Sequence, residues 1–411
     1  MHDPAYIDLA ILGARPKAMA ALLRYFRDLD TAEEAFQEAC LKALKSWPLK
    51  GPPRDPTAWL VLVGRNAGVD GRRRQRGVEP LPEPDALVDS RDDIDPERLD
   101  ESRYGDDILR LLFVCGHPSL PATRQIALAL RIVSGLTVEQ IARAFLVSPA
   151  AMEQRITRAK RAIAKAGLEF DTPSAAERRS RLAAVSTMIY LVFNEGYGAT
   201  PDTALVREPV ADEAIRLGRL LAGLFPNDPE VLGLLALMLF QQSRSPARFD
   251  ANGEIVLLEE QDRSLWSWPL IDEGRQLLAR AAVFRDPGPY QLQAAISALH
   301  ARATGPADTP WKEIDSLYRV LESLEASPVV TLNRAVAVWK LRGAGAALEM
   351  VDPLKSELDA YFYFHGLRGT LLRELGRRDE ARLALTRAIA LANSVAEARL
   401  IRRELDRLTA S

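Results

Sequence analysis

Between residues 148 and 165 the chain places Ala150, Gln154, Arg158, Arg161 and Lys165 on one side of a helical repeat, flanked by Glu153 and Arg155 and preceded by Ser148. Met152, Ile156, Ala159 and Ile163 recur on the other side at the spacing of a buried stripe. Arginine and lysine hold phosphate oxygens, and amide side chains hydrogen-bond base edges. Small and amide residues near the helix start, with cations further along, therefore suit a helix whose amino end enters a DNA groove. The same pattern fits a basic, solvated face of a helical hairpin, and periodicity does not separate the two.

A second cationic cluster, Arg65, Asn66, Arg72, Arg73, Arg74 and Arg76, reads as a phosphate-binding stripe at the end of a helix that starts near Thr57 and turns Trp59, Leu60, Val63 and Ala67 inward. Gly64, Gly68 and Gly71 interrupt it at about 1 kcal/mol each relative to alanine, which predicts a helix ordered only on DNA. Upstream, Phe36, Ala39, Cys40, Ala43, Leu44 and Trp47 are expected on an apolar face. Glu33, Glu34, Gln37 and Glu38 stand opposite, an acidic face that invites a basic protein partner.

The elements that must position these residues are helices from end to end, so the fold class is all-α. Residues 123–165 read as a helix-turn-helix: Thr137 and Gln140 form a capping box, and Ser148 with Pro149 opens the third helix. From 77 to 107 twelve acids face three bases and four prolines intervene, the composition of a linker with net charge -9. A second break at Leu168–Ala175 leaves three blocks, 5–76, 106–167 and 174–411, with the linker over 77–105. In the last block, residues 341–347 realign with 375–381 at a shift of 34, the tetratricopeptide period. Pro226 to Gln242 and Tyr290 to Ala303 read as degenerate hairpins of the same kind.

The 54 basic against 56 acidic residues exclude a uniformly basic nucleic-acid coat protein, so any charge with a purpose is local. Two cysteines cannot build a disulfide framework, and the run Leu232–Phe240 is far too short to span a membrane; a cytoplasmic protein is expected, with no membrane partner. Cys115 and His117 lack companions for a metal site, so no metal and no cofactor are expected, and Cys40 reads as a small buried residue. Glu195, Tyr197, Asp262, Arg263 and His300 could line a pocket, though internal hydrogen bonds of a helical array suit them better. Neither a phosphate-cradling loop nor a nucleophile motif is present, so an enzyme is not expected.

Asp30-x-x-Glu33-Glu34-Ala35-Phe36-Gln37-Glu38, then Trp59-Leu60 and Arg65-Asn66-x-x-x-Asp70-x-Arg72-Arg73, resemble the second region of extracytoplasmic-function sigma factors, and residues 106–167 resemble their fourth region. Asn194-Glu195-Gly196-Tyr197, Asp262-Arg263-Ser264-x-Trp266 and Gly288-Pro289-Tyr290-Gln291-Leu292-Gln293-Ala294-Ala295 resemble the subgroup with a long tetratricopeptide-like carboxy-terminal extension. The resemblance implies that Asp30, Glu33, Glu34, Gln37 and Glu38 dock on core RNA polymerase. It implies that Arg65, Asn66, Arg72, Arg73, Arg74 and Arg76 hold the -10 element beside a base-capturing turn at Leu49–Thr57, and that the helix from Ser148 to Lys165, through Glu153, Gln154, Arg155 and Arg158, reads the -35 element of promoter DNA. The extension would regulate initiation in cis, with a protein or a small molecule as a possible partner. An operator-binding regulator with a tetratricopeptide sensor is the alternative.

Overall fold

The computed structural model describes residues 4–75, 101–117, 119–145, 147–166, 175–198 and 204–410. Among them there are helices and a single isolated bridge between Phe249 and Ile255, but no strand. Most of the acidic linker, Arg76 and most of the break before Ala175 lie outside the described residues. The chain divides into two compact units, Met1–Glu195 and Gly196–Ser411.

The first unit opens with α1 (Pro4–Phe26), α2 (Leu29–Lys50) and α3 (Pro56–Gln75). Asp28 caps α2 by accepting from the Thr31 N–H at 2.8 Å. Met19, Leu22, Phe36, Trp47 and Leu60 form the core of this bundle. Leu44, expected on the apolar face, is instead 49% exposed, because the buried stripe of α2 runs through Ala32, Ala35, Phe36, Ala39, Ala43 and Trp47.

α3 runs as one continuous helix through Gly64, Gly68 and Gly71. The reason is packing. A Cβ on Gly64 would lie 3.1 Å from the Ala35 carbonyl oxygen, and one on Gly68 would lie 2.4 Å from the Phe26 ring. These glycines let α3 approach its neighbours closely, and the helix propensity they forfeit is offset by contact.

α4 (Glu101–Cys115) begins inside the stretch assigned to the linker and packs along α1, burying Ile108, Leu111 and Leu112. α5 (Ala122–Ile132), α6 (Val138–Ala144) and α7 (Pro149–Ala166) follow. The Thr137/Gln140 capping box opens α6, and Met152, Ile156, Ala159 and Ile163 of α7 are all buried. α8 (Ala175–Tyr197) stacks Arg181 over the Phe113 ring and packs Val185 at Gly116. Most of this helix thus shares the first unit, and the division falls at 195/196 rather than at the expected 174.

The second unit contains α9 (Ala204–Leu224), α10 (Pro229–Gln242), α11 (Trp268–Ala282), α12 (Pro289–Arg302) and α13 (Trp311–Leu324). α10 is buried on every side from Val231 to Phe240, as a helix apolar all round must be, and α9, α11 and α12 pack against it. Pro226 to Gln242 and Tyr290 to Ala303 are therefore not hairpins: each contributes one helix, and α10 and α12 pack on each other, with Gly233 against Gln291. Beyond them come α14 (Pro328–Arg342), α15 (Ala344–Val351), α16 (Lys355–Leu358), α17 (Phe362–Glu374), α18 (Arg378–Leu391) and α19 (Val395–Ala410). The 34-residue repeat is real in space: α14/α15 and α17/α18 are successive hairpins, and the equivalent Ala347 and Ala381 are both fully buried at the turn into the second helix. No helix among the described residues is long and apolar enough to cross a membrane.

Candidate nucleic-acid interface

On α7 the buried stripe fixes which side faces out, and the residues singled out by type are where that predicts. Ser148, Ala150, Glu153, Gln154, Arg158, Arg161 and Lys165 are exposed, and Arg155 is half-buried. The Ser148 hydroxyl accepts from the Ala151 N–H at 3.2 Å, which fixes the amino end of the helix. This face offers an amide, guanidinium groups and an ammonium in one row, the donors that base edges and phosphates accept from.

On α3, Arg65 is exposed and stands 4.2 Å from the centroid of the Tyr25 ring, while Asn66 is half-buried. Arg72, Arg73 and Arg74 fall on the last turn of α3, and their side chains, like the whole of Arg76, lie outside the described residues. Trp59 is held edge-on against buried Trp47, 5.3 Å between centroids, at the start of the same helix.

The acidic face of α2 divides. Asp30, Glu34, Gln37 and Glu38 are exposed, but Glu33, expected beside them, is buried. It is covered by the helix-turn-helix of the same unit: Lys160 Nζ lies 2.6 Å from Glu33 Oε2 and 2.7 Å from Asp30 Oδ1, and Arg131 Nε lies 3.0 Å from Glu33 Oε1. Gln37 also donates to Glu33 at 3.3 Å. Burial works against the Lys160 ammonium, but the hydrogen bonds it donates to Asp30 and Glu33 outweigh that and hold its pKa above the ordinary lysine value.

A second tie runs beside the first. Arg15 of α1 donates to the backbone carbonyls of Arg131 at 3.0 Å and Ile132 at 3.1 Å, and its guanidinium sits 4.8 Å over the Phe36 ring. Gly135 makes room, since a Cβ there would meet Arg15 at 2.8 Å. Arg24 pairs with the buried Asp107 of α4 at 2.9 Å. Lys160, Arg131 and Arg15 were not legible as functional residues, because their partners are more than 90 positions away. The faint signal for Lys160 is its place at the border of the apolar stripe of α7.

The remaining expectations concern residues elsewhere. Cys115 is fully buried at the end of α4, and burial pushes its thiol pKa well up; the half-buried Cys40 thiol is pushed up to about 11 by burial. His117 Nδ1 is 2.7 Å from the Ser119 hydroxyl, and among the described residues no three potential ligands cluster for a metal. Tyr197, Asp262, Arg263 and His300 are each engaged in contacts within the second unit. The Arg248 guanidinium lies 4.0 Å over the Tyr197 ring, Asp262 accepts from the Ser264 N–H at 2.9 Å, and Arg263 donates to the carbonyls of His300, at 2.7 Å, and Ala303.

Comparison with known proteins covers both units. Residues 13–78 match Sigma-70 region 2, residues 111–163 match Sigma-70, region 4, and residues 181–282 match a family of unknown function (DUF6596). The chain is 63% identical over 413 residues to the uncharacterized protein R00370 of Rhizobium meliloti (strain 1021), covering all of this chain and 97% of that one. A solved structure, the crystal structure of the yeast Tom70, aligns with 98% of this chain and 85% of its own at 11% identity with a TM-score of 0.38, a level from which nothing follows. The sigma-70 regions are DNA-binding parts of transcription factors, not of enzymes, and their role is promoter recognition. The α1–α3 bundle with its cationic last helix, and the helix-turn-helix of α5–α7 behind it, are those two regions in order, and the chain belongs to the sigma-70 family, of extracytoplasmic-function type, with a helical carboxy-terminal extension.

Proposed function

We propose that this protein is an alternative sigma factor that binds core RNA polymerase and directs initiation at two-element promoters, and that the first unit as described is its closed, unbound form. The exposed row on α7 carries the reading: Gln154 and Arg155, with Glu153 and Arg158, meet base edges of the -35 element, while Arg161 and Lys165 hold phosphates. Arg65 and Asn66, with Arg72, Arg73, Arg74 and Arg76 beyond them, hold the -10 element. Asp30, Glu33, Glu34, Gln37 and Glu38 dock on a basic surface of the polymerase. Since Glu33 is held by Lys160 and Arg131, docking through it requires the helix-turn-helix to leave α2. The extension acts in cis, tethered near the promoter-binding unit at a high effective concentration.

Core polymerase supplied with the full chain should give a specific transcript from a two-element promoter, and Lys160→Ala should strengthen polymerase binding by loosening the hold on Glu33. Specific DNA binding with no transcript from either protein, and no polymerase binding, would instead make this an operator-binding regulator. Removing residues beyond 195 should change transcription if the extension regulates in cis; equal transcription and equal polymerase affinity with and without it would reject that part.

A further inference from the structure

Within the second unit the connection between α10 and α11 forms a strap, residues 248–261, that reaches helices far along the chain. The strap is a tight hairpin: Phe249 pairs with Ile255, and the Asp250 carboxylate accepts from the N–H groups of Asn252 and Glu254, each at 2.9 Å. It is clamped on two sides. Glu259 pairs with Lys340 of α14 at 2.8 Å, and Glu254 pairs with Arg403 of α19 at 2.9 Å, with Arg403 also donating to the Ile255 carbonyl at 3.1 Å. Strap residues and residues of α14, α17 and α19 line one cavity.

Under the strap is a cavity of about 550 Å³. Its walls are apolar: Val336 and Trp339 from α14, Phe362 and Leu367 from α17, Ile401 from α19, and Ile255 from the strap. Three arginines, Arg248, Arg373 and Arg407, and one carboxylate, Glu404, also line it. Among the described residues Arg373 Nε has no hydrogen-bond partner although it is buried, and the same holds for Glu404 Oε2 and Gln261 Oε1. Arg373 Nη2 stands 3.2 Å from Glu404 Oε2, near enough for charge attraction but not in hydrogen-bonding geometry. A buried guanidinium nitrogen is costly to leave unmatched, so its presence in a cavity wall points to an acceptor that arrives with a ligand.

We propose that this cavity binds a small organic acid with an apolar chain or ring, its carboxylate on Arg373 and its apolar body between the strap and the inner faces of α14 and α17. The size is that of a small-molecule site, with apolar walls and few polar groups that fix orientation. Three cations against one carboxylate favour an anion over an amine, and Glu404 beside Arg373 favours a single charge over a phosphate dianion. The strap roofs part of the groove and leaves the rest open to solvent, an entry for a small molecule. Every residue of the site belongs to the second unit, so the two readings succeed or fail separately.

The test is titration calorimetry on the full chain with decanoate, decanol and decylamine as probes. Decanoate should bind saturably at one site, and the alcohol and the amine should each bind at least about tenfold more weakly, as expected when a buried charge loses its partner. Arg373→Met should weaken decanoate by at least about tenfold and erase the preference for the acid. Val336→Trp, which narrows the cavity without touching a charge, should weaken binding of all three. The wild-type preference needs no variant, and far-ultraviolet circular dichroism checks that the variants fold. No saturable binding of decanoate, equal binding of acid, alcohol and amine, or decanoate binding unchanged by Arg373→Met would each overturn the assignment.

Discussion

The two units use charge at different ranges along the chain. In the first, the best-buried ion pairs join segments remote in sequence: Lys160 to Glu33 and Arg131 to Glu33, with Arg15 bonded to the turn after α5. In the second, the strap apart, pairs three or four residues apart on one helix or at its entrance, as in Arg216–Glu213, Arg319–Asp315 and Arg377–Glu380, stand beside pairs between neighbouring helices of the array, as in Arg334–Asp315 and Arg219–Glu273. Remote pairs between separately cored helical modules can break while both cores persist. Local pairs tune a helix that is already held by its neighbours. Charge in the first unit therefore sets which modules touch, and charge in the extension supports a scaffold.

The largest effects that bear on this contrast come from the cores. Phe36 and Phe364 are both fully buried, one in each unit, so Phe36→Ala and Phe364→Ala should each cost about 3–5 kcal/mol. Each should lower a different unfolding transition in calorimetry. A single transition shifted equally by both would mean that the units do not unfold independently, and the contrast would lose its basis.

Next comes the remote pair itself. Glu33→Gln leaves Lys160 and Arg131 facing a neutral amide at a largely dry site, a loss of about 3 kcal/mol after allowing for their residual exposure. The loss should appear as opening, not unfolding: a larger radius of gyration in small-angle scattering with helix content unchanged. Combining Glu33→Gln with Lys160→Ala should cost less than the sum of the two. Additive costs would show that the two side chains act separately.

How far all this was legible from the residues differs by region for a physical reason. The α7 face could be read because helical periodicity and capping are local: Met152, Ile156, Ala159 and Ile163 are buried and Gln154, Arg158, Arg161 and Lys165 are exposed as the spacing required. At Gly64 and Gly68 propensity sees only the backbone, whereas the close approach of Ala35 and Phe26 that they permit is visible only in space. Glu33 looked solvated because nothing near it in the chain announces Lys160. The motif Gly288-Pro289-Tyr290-Gln291 has a structural meaning visible only in space. The carboxylate of Glu230 accepts from the N–H groups of Tyr290 and Gln291, each at 3.0 Å, and a Cβ on Gly288 would collide with it. The strap, too, is assembled from partners more than 80 residues beyond it.

A smaller effect tests whether the scaffold senses acid. Burial, aided by Arg244 and Arg263, pushes His300 down to about 4, so it is neutral in the folded protein and takes up a proton on unfolding between that value and its ordinary 6.5. Stability should therefore fall as pH drops through this window, by about 2 kcal/mol after allowing for partial exposure, and be unaffected by His300 above it. Comparing urea unfolding of the wild type and His300→Gln at about pH 7 and about pH 5 isolates the contribution. Equal acid sensitivity of the two proteins would show that His300 is not held neutral.

The smallest effect is the sharpest test of the contrast, because it predicts no change where a close bidentate pair is plain to see. Arg377 donates through Nε and Nη2 to both oxygens of Glu380, each at 2.7 Å, where the chain enters α18. The partnership holds the Arg377 pKa above and the Glu380 pKa below their ordinary values. Both groups are fully solvated, however, so water and salt screen most of the attraction, and ordering two long side chains cancels much of the rest. Arg377→Ala should leave the melting temperature of the extension unchanged within error at moderate salt, and a change that appears only at low ionic strength would fit the same account. A clear loss at moderate salt, comparable with that of Glu33→Gln, would mean that local pairs in the extension carry as much as the remote pairs of the first unit. The division of labour between the two regions would then be wrong.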